Sequence, residues 1–270
     1  MSAGRPQAGA QVRALIASHL HDRRRAVLAW GLPLGLMSAF IVAIYPSVEE
    51  SLSKVTQGYP QGLKEAFGIG ELSNVEQYLH AEMLSLIVPL AMGYLAVRAI
   101  ASGLTGAAES GRLDVLLSAP VSRTRIVAAG FLATAVELAE VLLVTALLCG
   151  LGSLLAGSGL DAGRAAAGFA DVWPLALLFA GFGAIAAGFS LRTSVVTGSV
   201  AGLLVAMYVI DLIGRLDTGL SGLRYVSVFK YYGNAIEDGI EPVAFAGVAV
   251  AACVLAALGA WLFERRDLAA

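Results

Sequence analysis

The stretch VAFAGVAVAACVLAALGAWLF, residues 243–263, contains no charged side chain. A helix needs roughly 20 residues, at about 1.5 Å rise each, to cross a hydrocarbon core about 30 Å thick. Residues 172–191 and 26–45 are equally free of charge. These runs predict membrane-spanning helices, and they place the chain in the all-α class of polytopic membrane proteins.

Composition supports the same class. Of 270 residues, 58% are hydrophobic and 14% are charged, whereas soluble domains average about 45–50% and about 25%. The apolar residues predict a single six-span domain over residues 26–270. Its predicted spans are about 26–45, 83–106, 126–150, 172–191, 194–213 and 243–263.

Residues 1–25 form a separate N-terminal segment. Val12, Leu15, Ile16 and Leu20 recur on one helical face, a pattern that favours an amphipathic helix at the membrane interface. A simple cytoplasmic helical tail is the alternative. The apolar run that follows exceeds the length of about 7–15 residues of a signal-peptide core, so it is interpreted as an uncleaved first span.

Arginines near the span ends predict the orientation, because cytoplasmic loops are enriched in Lys and Arg. Arginines 23–25, 112, 123, 125, 192, 265 and 266 share one side if both termini are cytoplasmic. The formal net charge of -2 gives no sign of a nucleic-acid partner.

The segment 109–125 between spans two and three interrupts the apolar sequence with both charge signs. In SGRLDVLLSAP, apolar residues stand beside Arg112 and Asp114 and end at Pro120. A short amphipathic helix would stop there, because the residue before proline avoids helical dihedrals. Such a surface suits a protein partner, and an ordinary interfacial loop is the alternative.

The motif LLSAPVSRTRI (116–126) resembles the permease subunits of type-2 ATP-binding cassette (ABC-2) exporters. SNVEQYLHAEMLSLIVPL (73–90), VFKYYGNAIEDG (228–239) and LFERRDL (262–268) are similar to further segments of that family. Phe131 departs from the pattern, since relatives often carry a Lys at that position.

The resemblance implies that segment 109–125 is a coupling helix that receives the movement of a separate ATP-binding subunit. The residues implied in this coupling are Glu109, Gly111, Arg112, Leu113, Asp114, Leu116, Leu117, Pro120 and Arg123. It also implies a second permease copy (a homodimer), surrounding lipids, export by alternating access and a bacterial plasma membrane. No cofactor would bind this chain, and ATP with Mg²⁺ would bind the partner.

Sequence motifs of catalysis are missing from this chain. A Walker loop requires G-x-x-x-x-G-K-[ST], but none of the lysines at 54, 64 and 230 follows a glycine. Neither a nucleophile set nor a metal-ligand spacing stands out. The chain is therefore not expected to be an enzyme. Alternatives to the exporter are a membrane subunit that serves copper or envelope processing with a periplasmic partner, and a non-transport scaffold or sensor.

Two acids interrupt the third span. Glu137 and Glu140 are three residues apart and so share a helical face. An ionised side chain near the bilayer centre costs at least about 2.5–3.5 kcal/mol. They are predicted to line a substrate pathway. In the alternative interpretation they pair with a neighbour such as Arg98, or are protonated at an interface.

Gly198 and Gly202 form a G-x-x-x-G motif in the fifth span. Small residues allow close helix approach, so this motif predicts a contact with the second copy or, equally, a contact within the chain. Gly181, Gly183 and Gly188 in the fourth span leave the same two possibilities open.

Overall fold

The structure, a computed structural model, describes residues 5–57, 74–109 and 123–265. Within these ranges the chain is helical and forms no β-strand, which confirms the all-α prediction. The helices are α1 (Arg5–Gln57), α2 (Val75–Leu79), α3 (Ile87–Glu109), α4 (Arg123–Ala156), α5 (Ala162–Phe189), α6 (Thr193–Leu216), α7 (Ala235–Asp238) and α8 (Pro242–Arg265).

Six stretches of these helices are long and apolar enough to cross a membrane, which agrees with the predicted number of spans. They are Arg24–Glu49, Val75–Gly106, Thr124–Ala156, Ala162–Phe189, Thr193–Leu216 and Pro242–Arg265. The chain is therefore a multi-pass membrane protein.

The first span is part of one continuous helix, α1, rather than a span preceded by a separate helix. No glycine or proline interrupts residues 10–30, so helical hydrogen bonding can propagate through the three consecutive arginines. The location of the N-terminal part at the membrane surface stays a prediction.

The fourth span begins at Ala162, earlier than predicted. Charged residues near its start form hydrogen bonds with nearby backbone groups, so they do not prevent the helix from forming there. The Asp161 carboxylate caps α5 by accepting a hydrogen bond of 2.8 Å from the backbone N–H of Arg164. Asp171 directly precedes the predicted fourth span, 172–191, but in the structure it is buried inside α5 and accepts a hydrogen bond from the backbone N–H of Gly233.

Helix α5 forms the centre of the bundle. In the most apolar 18-residue stretch of each helix, 72% of the residues of α5 are buried, against 22% in α6 and 22% in α8. It packs against α3, α4, α6 and α8, while α1 packs along α4. From Val172 onwards α5 contains no charged residue and is apolar on all sides, as expected for a helix surrounded by other helices.

Small residues bring α5 and α8 together. A Cβ added to Gly259 would lie 2.7 Å from the backbone nitrogen of Ile185, and one added to Gly181 would lie 2.9 Å from the carbonyl oxygen of Ala252. Gly188 meets Leu262 in the same interface. Close contact of this kind is the main source of helix association in lipid, so these glycines belong to packing within the chain.

The segment 217–241, called the cap segment here, joins α6 to α8 at one end of the bundle. It contains two 3₁₀ turns, Thr218–Val226 and Val228–Tyr231, followed by α7, and so it is not a span, as predicted. We call this the cap end. At the opposite end, the hydroxyl groups of Thr105 and Thr193 are hydrogen-bonded at 2.8 Å, which links the end of the second span to the start of α6.

Candidate functional site

A polar cavity of about 300 Å³ lies at the cap end. Its walls come from the start of the second span, the last turns of α6 and the cap segment. The residues that give it a polar character include His80, Asp211, Arg215, Arg224, Lys230 and Asn234. Such a concentration of ionisable groups inside a largely apolar protein marks it as the candidate functional site.

One carboxylate organises this cavity. Asp211 Oδ2 lies 2.7 Å from Arg215 Nε, and Asp211 Oδ1 lies 2.9 Å from Arg224 Nε. The Asp211 side chain is only 4% exposed, whereas the two arginines are 25% and 30% exposed. Asp211 therefore joins two cations, one from its own helix and one from the cap segment.

Helix α6 is shaped to receive the second arginine. Gly214 is buried, and a Cβ added there would collide with Cγ of Arg224. The missing side chain lets the Arg224 stem cross the helix surface close to its backbone. The cluster of Asp211, Arg215 and Arg224 thus depends on a glycine three residues after the aspartate.

Hydrogen bonds hold the cap segment against the spans. Ser227 Oγ donates to the carbonyl of Met207 at 2.7 Å and accepts from the N–H of Phe229 at 3.1 Å. Tyr232 donates its hydroxyl to the carbonyl of Leu84 at 2.8 Å. Desolvation raises the pKa of Tyr232, which keeps this phenol protonated as a donor. The cap segment is thereby tied to two different spans.

A π-helical turn, His80–Leu84, carries His80 into the cavity wall. Its wider hydrogen bond runs from the N–H of Ser85 to the carbonyl of His80, at 2.8 Å. π-Turns inside α-helices occur frequently at functional sites. Here the turn places the Leu84 carbonyl within hydrogen-bond distance of the Tyr232 hydroxyl.

A second cavity, of about 440 Å³, is apolar and lies between α4, α5 and α8. Its walls include Leu142, Phe169, Trp173 and Phe245. Trp173 satisfies its indole N–H by donating to the carbonyl of Ala135 at 2.8 Å. This groove can accommodate hydrocarbon, but it offers no charged contact.

The predicted coupling residues from Gly111 to Pro120 lie outside the described residues. Glu109 is the last residue of α3 and Arg123 the first of α4; only their backbone positions are described. Both belong to the bundle end opposite the cap, because each is separated from the cap end by one span. Their role in coupling stays a prediction.

The two acids of the third span lie on the surface of α4 and not in the polar cavity. Glu137 is half-buried and Glu140 is exposed, and both take part in interactions within the described part of the chain. This position on an outer face of the helix does not test the predicted substrate-pathway role. That role stays a prediction.

The glycines of the predicted G-x-x-x-G motif are exposed on α6. A Cβ added to Gly198 or Gly202 would meet no described atom within 4 Å. These two glycines therefore make no close contact with another described helix of the chain. The contact with a second copy stays a prediction.

By sequence, Asp211 lies near the end of the predicted fifth span (194–213), where it either serves a site or, in the preferred interpretation, ends the span in the headgroup region. A signal for an ion pair was present in Arg215, since residues four apart are neighbours on a helix. Arg224 had no such signal, because it reaches Asp211 only through the fold of the cap segment. The cluster as a whole was missed for that reason.

Six apolar helices and a polar cavity closed by a cap define a multi-pass membrane protein with a candidate ligand site. The family model described as "Multidrug efflux system permease Rv1217c, C-terminal domain" matches residues 15–264. The chain belongs to this family, which makes it the membrane subunit of a transporter. Among curated proteins, none matches the chain.

Proposed function

We propose that this chain is the permease subunit of an ABC-2-type exporter and forms the substrate pathway, while a separate subunit binds ATP with Mg²⁺ and hydrolyses it. The observation that carries this proposal is the efflux-permease match over residues 15–264, together with six helices that could cross a membrane. The sequence contains no Walker loop, so if ATP drives transport, a separate subunit hydrolyses it.

The proposed contact with the ATP-binding subunit is segment 109–125. Its flanking residues, Glu109 and Arg123, lie at the end of the bundle opposite the cap, where the predicted orientation has the cytoplasm of a bacterial cell. A soluble ATPase would meet there the charged and apolar side chains of LDVLL. Movement of this segment would then shift the spans between two states, with nucleotide supplying the bias.

Arg112→Glu and Leu116→Asp are expected to abolish co-purification of the ATP-binding subunit, because they reverse a charge and insert another in the proposed contact. Loss of a hydrogen-bonded charged contact weakens binding by about tenfold or more. The measurement is affinity purification of the tagged permease followed by quantification of the ATPase.

Matched control variants exist at the cap end. Arg164→Glu and Leu223→Asp make the same changes at exposed positions and should leave co-purification unchanged. Size-exclusion profiles identify variants that are misfolded. Normal ATPase recovery with well-folded Arg112→Glu and Leu116→Asp would refute the docking role.

The second permease copy is proposed to contact the exposed face of α6. Gly198 and Gly202 open a shallow surface there, since an added Cβ meets no described atom within 4 Å. Close backbone approach between copies would use this surface. The same assembly would bring exposed faces of other spans towards one another.

Glu137 and Glu140 are proposed to line the substrate pathway. They lie on a partly exposed face of α4, and an ionised carboxylate is far more stable beside water than in lipid. A water-filled passage next to this face would provide that environment. Carboxylates there would favour cationic or amphipathic cargo.

Glu137→Gln and Glu140→Gln are expected to lower transport about tenfold, an effect equal to about 1.4 kcal/mol in the barrier, with unchanged expression. The measurement is ATP-dependent extrusion of a panel of cationic dyes by cells that contain the whole complex. Glu241→Gln, an exposed acid at the cap end, is the control. Wild-type extrusion by both variants would contradict the pathway assignment.

A further inference from the structure

We propose that the polar cavity at the cap end is a binding site for a phosphate group. This group would belong either to a lipid headgroup or to a soluble phosphate compound. The inference concerns ligand binding by the permease alone, so it does not depend on an ATP-driven partner.

The wall of the polar cavity is rich in cations. Arg215, Arg224 and Lys230 line the cavity, and Asp211 is the only carboxylate among its lining residues. Glu237, which lies near this wall, accepts a hydrogen bond from Asn234 Nδ2. Positive charge therefore exceeds negative charge on the lining, which favours an anion.

Two arginines supply hydrogen-bond donors to the cavity. Arg215 and Arg224 each contact Asp211 through Nε. Among the described residues, no hydrogen bond engages the N–H groups on their Nη atoms, which leaves these donors for another acceptor. A guanidinium presents five N–H donors in a rigid planar arrangement that matches phosphate and carboxylate oxygens.

The two guanidinium groups are ordered before a ligand binds. Asp211 is almost completely buried and fixes both guanidinium groups before any ligand arrives. Lys230 contacts the ring of Tyr225, with its Nζ 2.7 Å from the ring centroid, but this ring is exposed and orders the lysine only weakly. Cations that are already ordered lose little conformational entropy when they bind an anion.

The volume fits such a group. About 300 Å³ lies at the lower end of the range of about 300–1,000 Å³ that is typical of small-molecule sites. A phosphate with a short alcohol attached can be accommodated in such a space. The cap end is also predicted to be the outer surface of the membrane, where headgroups and soluble phosphates are both present.

Calorimetric titration of the purified full-length permease, without the ATPase, tests the proposal with two probes. The first is inorganic phosphate at constant ionic strength, with chloride as the reference anion. The second is dihexanoyl phosphatidylglycerol, with dihexanoylglycerol as the phosphate-free reference. Arg224→Gln and Lys230→Gln are expected to weaken binding by about ten- to a hundredfold. Arg164→Gln, an exposed arginine at the same end but not in the cavity wall, should bind as the wild type does.

The outcomes separate the two sources. Binding of inorganic phosphate with this pattern of variants supports a soluble ligand, and binding of the lipid probe alone supports a headgroup. If Arg224→Gln fails to fold, Lys230→Gln decides, because Lys230 does not pair with Asp211. The proposal is overturned if the wild type binds neither probe, or if the cavity variants bind as tightly as Arg164→Gln.

Discussion

Asp211→Ala is expected to lower the free energy of unfolding by about 3 kcal/mol. Removing one partner of a buried ion pair costs about 3–5 kcal/mol, because the remaining charge stays uncompensated. Here two guanidinium groups would face each other without their shared carboxylate. Their exposure of 25% and 30% lets water relieve part of the repulsion, which sets the estimate at the lower end.

Thermal unfolding of the purified permease in detergent measures this effect. Asp238→Ala is the control, since it removes an exposed carboxylate from the same cap segment and should change stability little. Asp211→Asn should be intermediate, because the amide oxygen still accepts one hydrogen bond. Equal melting of Asp211→Ala and Asp238→Ala would show that the cluster does not stabilise the cap.

Gly259→Leu is expected to cost about 3 kcal/mol, at the upper end of the range for overpacked interiors. A Cβ at this position would lie 2.7 Å from Ile185 N. The obstacle is the backbone of α5, which cannot rotate away as a side chain could. Helices α5 and α8 would have to separate, and the central helix of the bundle would lose part of its packing.

The matched control is Gly247→Leu in the same helix, where an added Cβ meets no described atom within 4 Å. The yield of monodisperse protein and its melting temperature in detergent distinguish the two variants. We expect a clear loss for Gly259→Leu only. Similar values for both variants would mean that α8 does not depend on close contact with α5.

The six spans could be predicted because membrane insertion depends on local composition. A helix of sufficient length and low charge, such as residues 243–263, satisfies its own backbone hydrogen bonds wherever its neighbours lie. The helix ends were less predictable, because they depend on particular contacts. Asp161 begins α5 as a cap, and Asp171 is tolerated inside it through the N–H of Gly233.

The glycines illustrate the same division. Gly181 and Gly198 both occur in small-residue motifs, and their spacing alone gave the same two interpretations. In the structure Gly181 contacts α8, whereas a Cβ added to Gly198 would meet no described atom within 4 Å. Only the rotation of each helix about its axis separates these cases, and that rotation is set by neighbours distant in sequence.

By itself the sequence determined the membrane class, the number of spans and the absence of a Walker loop, because these follow from composition and from contiguous motifs. Tertiary structure decided the candidate site. Arg224 meets Asp211 and Tyr232 meets Leu84 only after the cap segment folds back over the spans. Such contacts join residues from separate segments, and local periodicity carries no information about them.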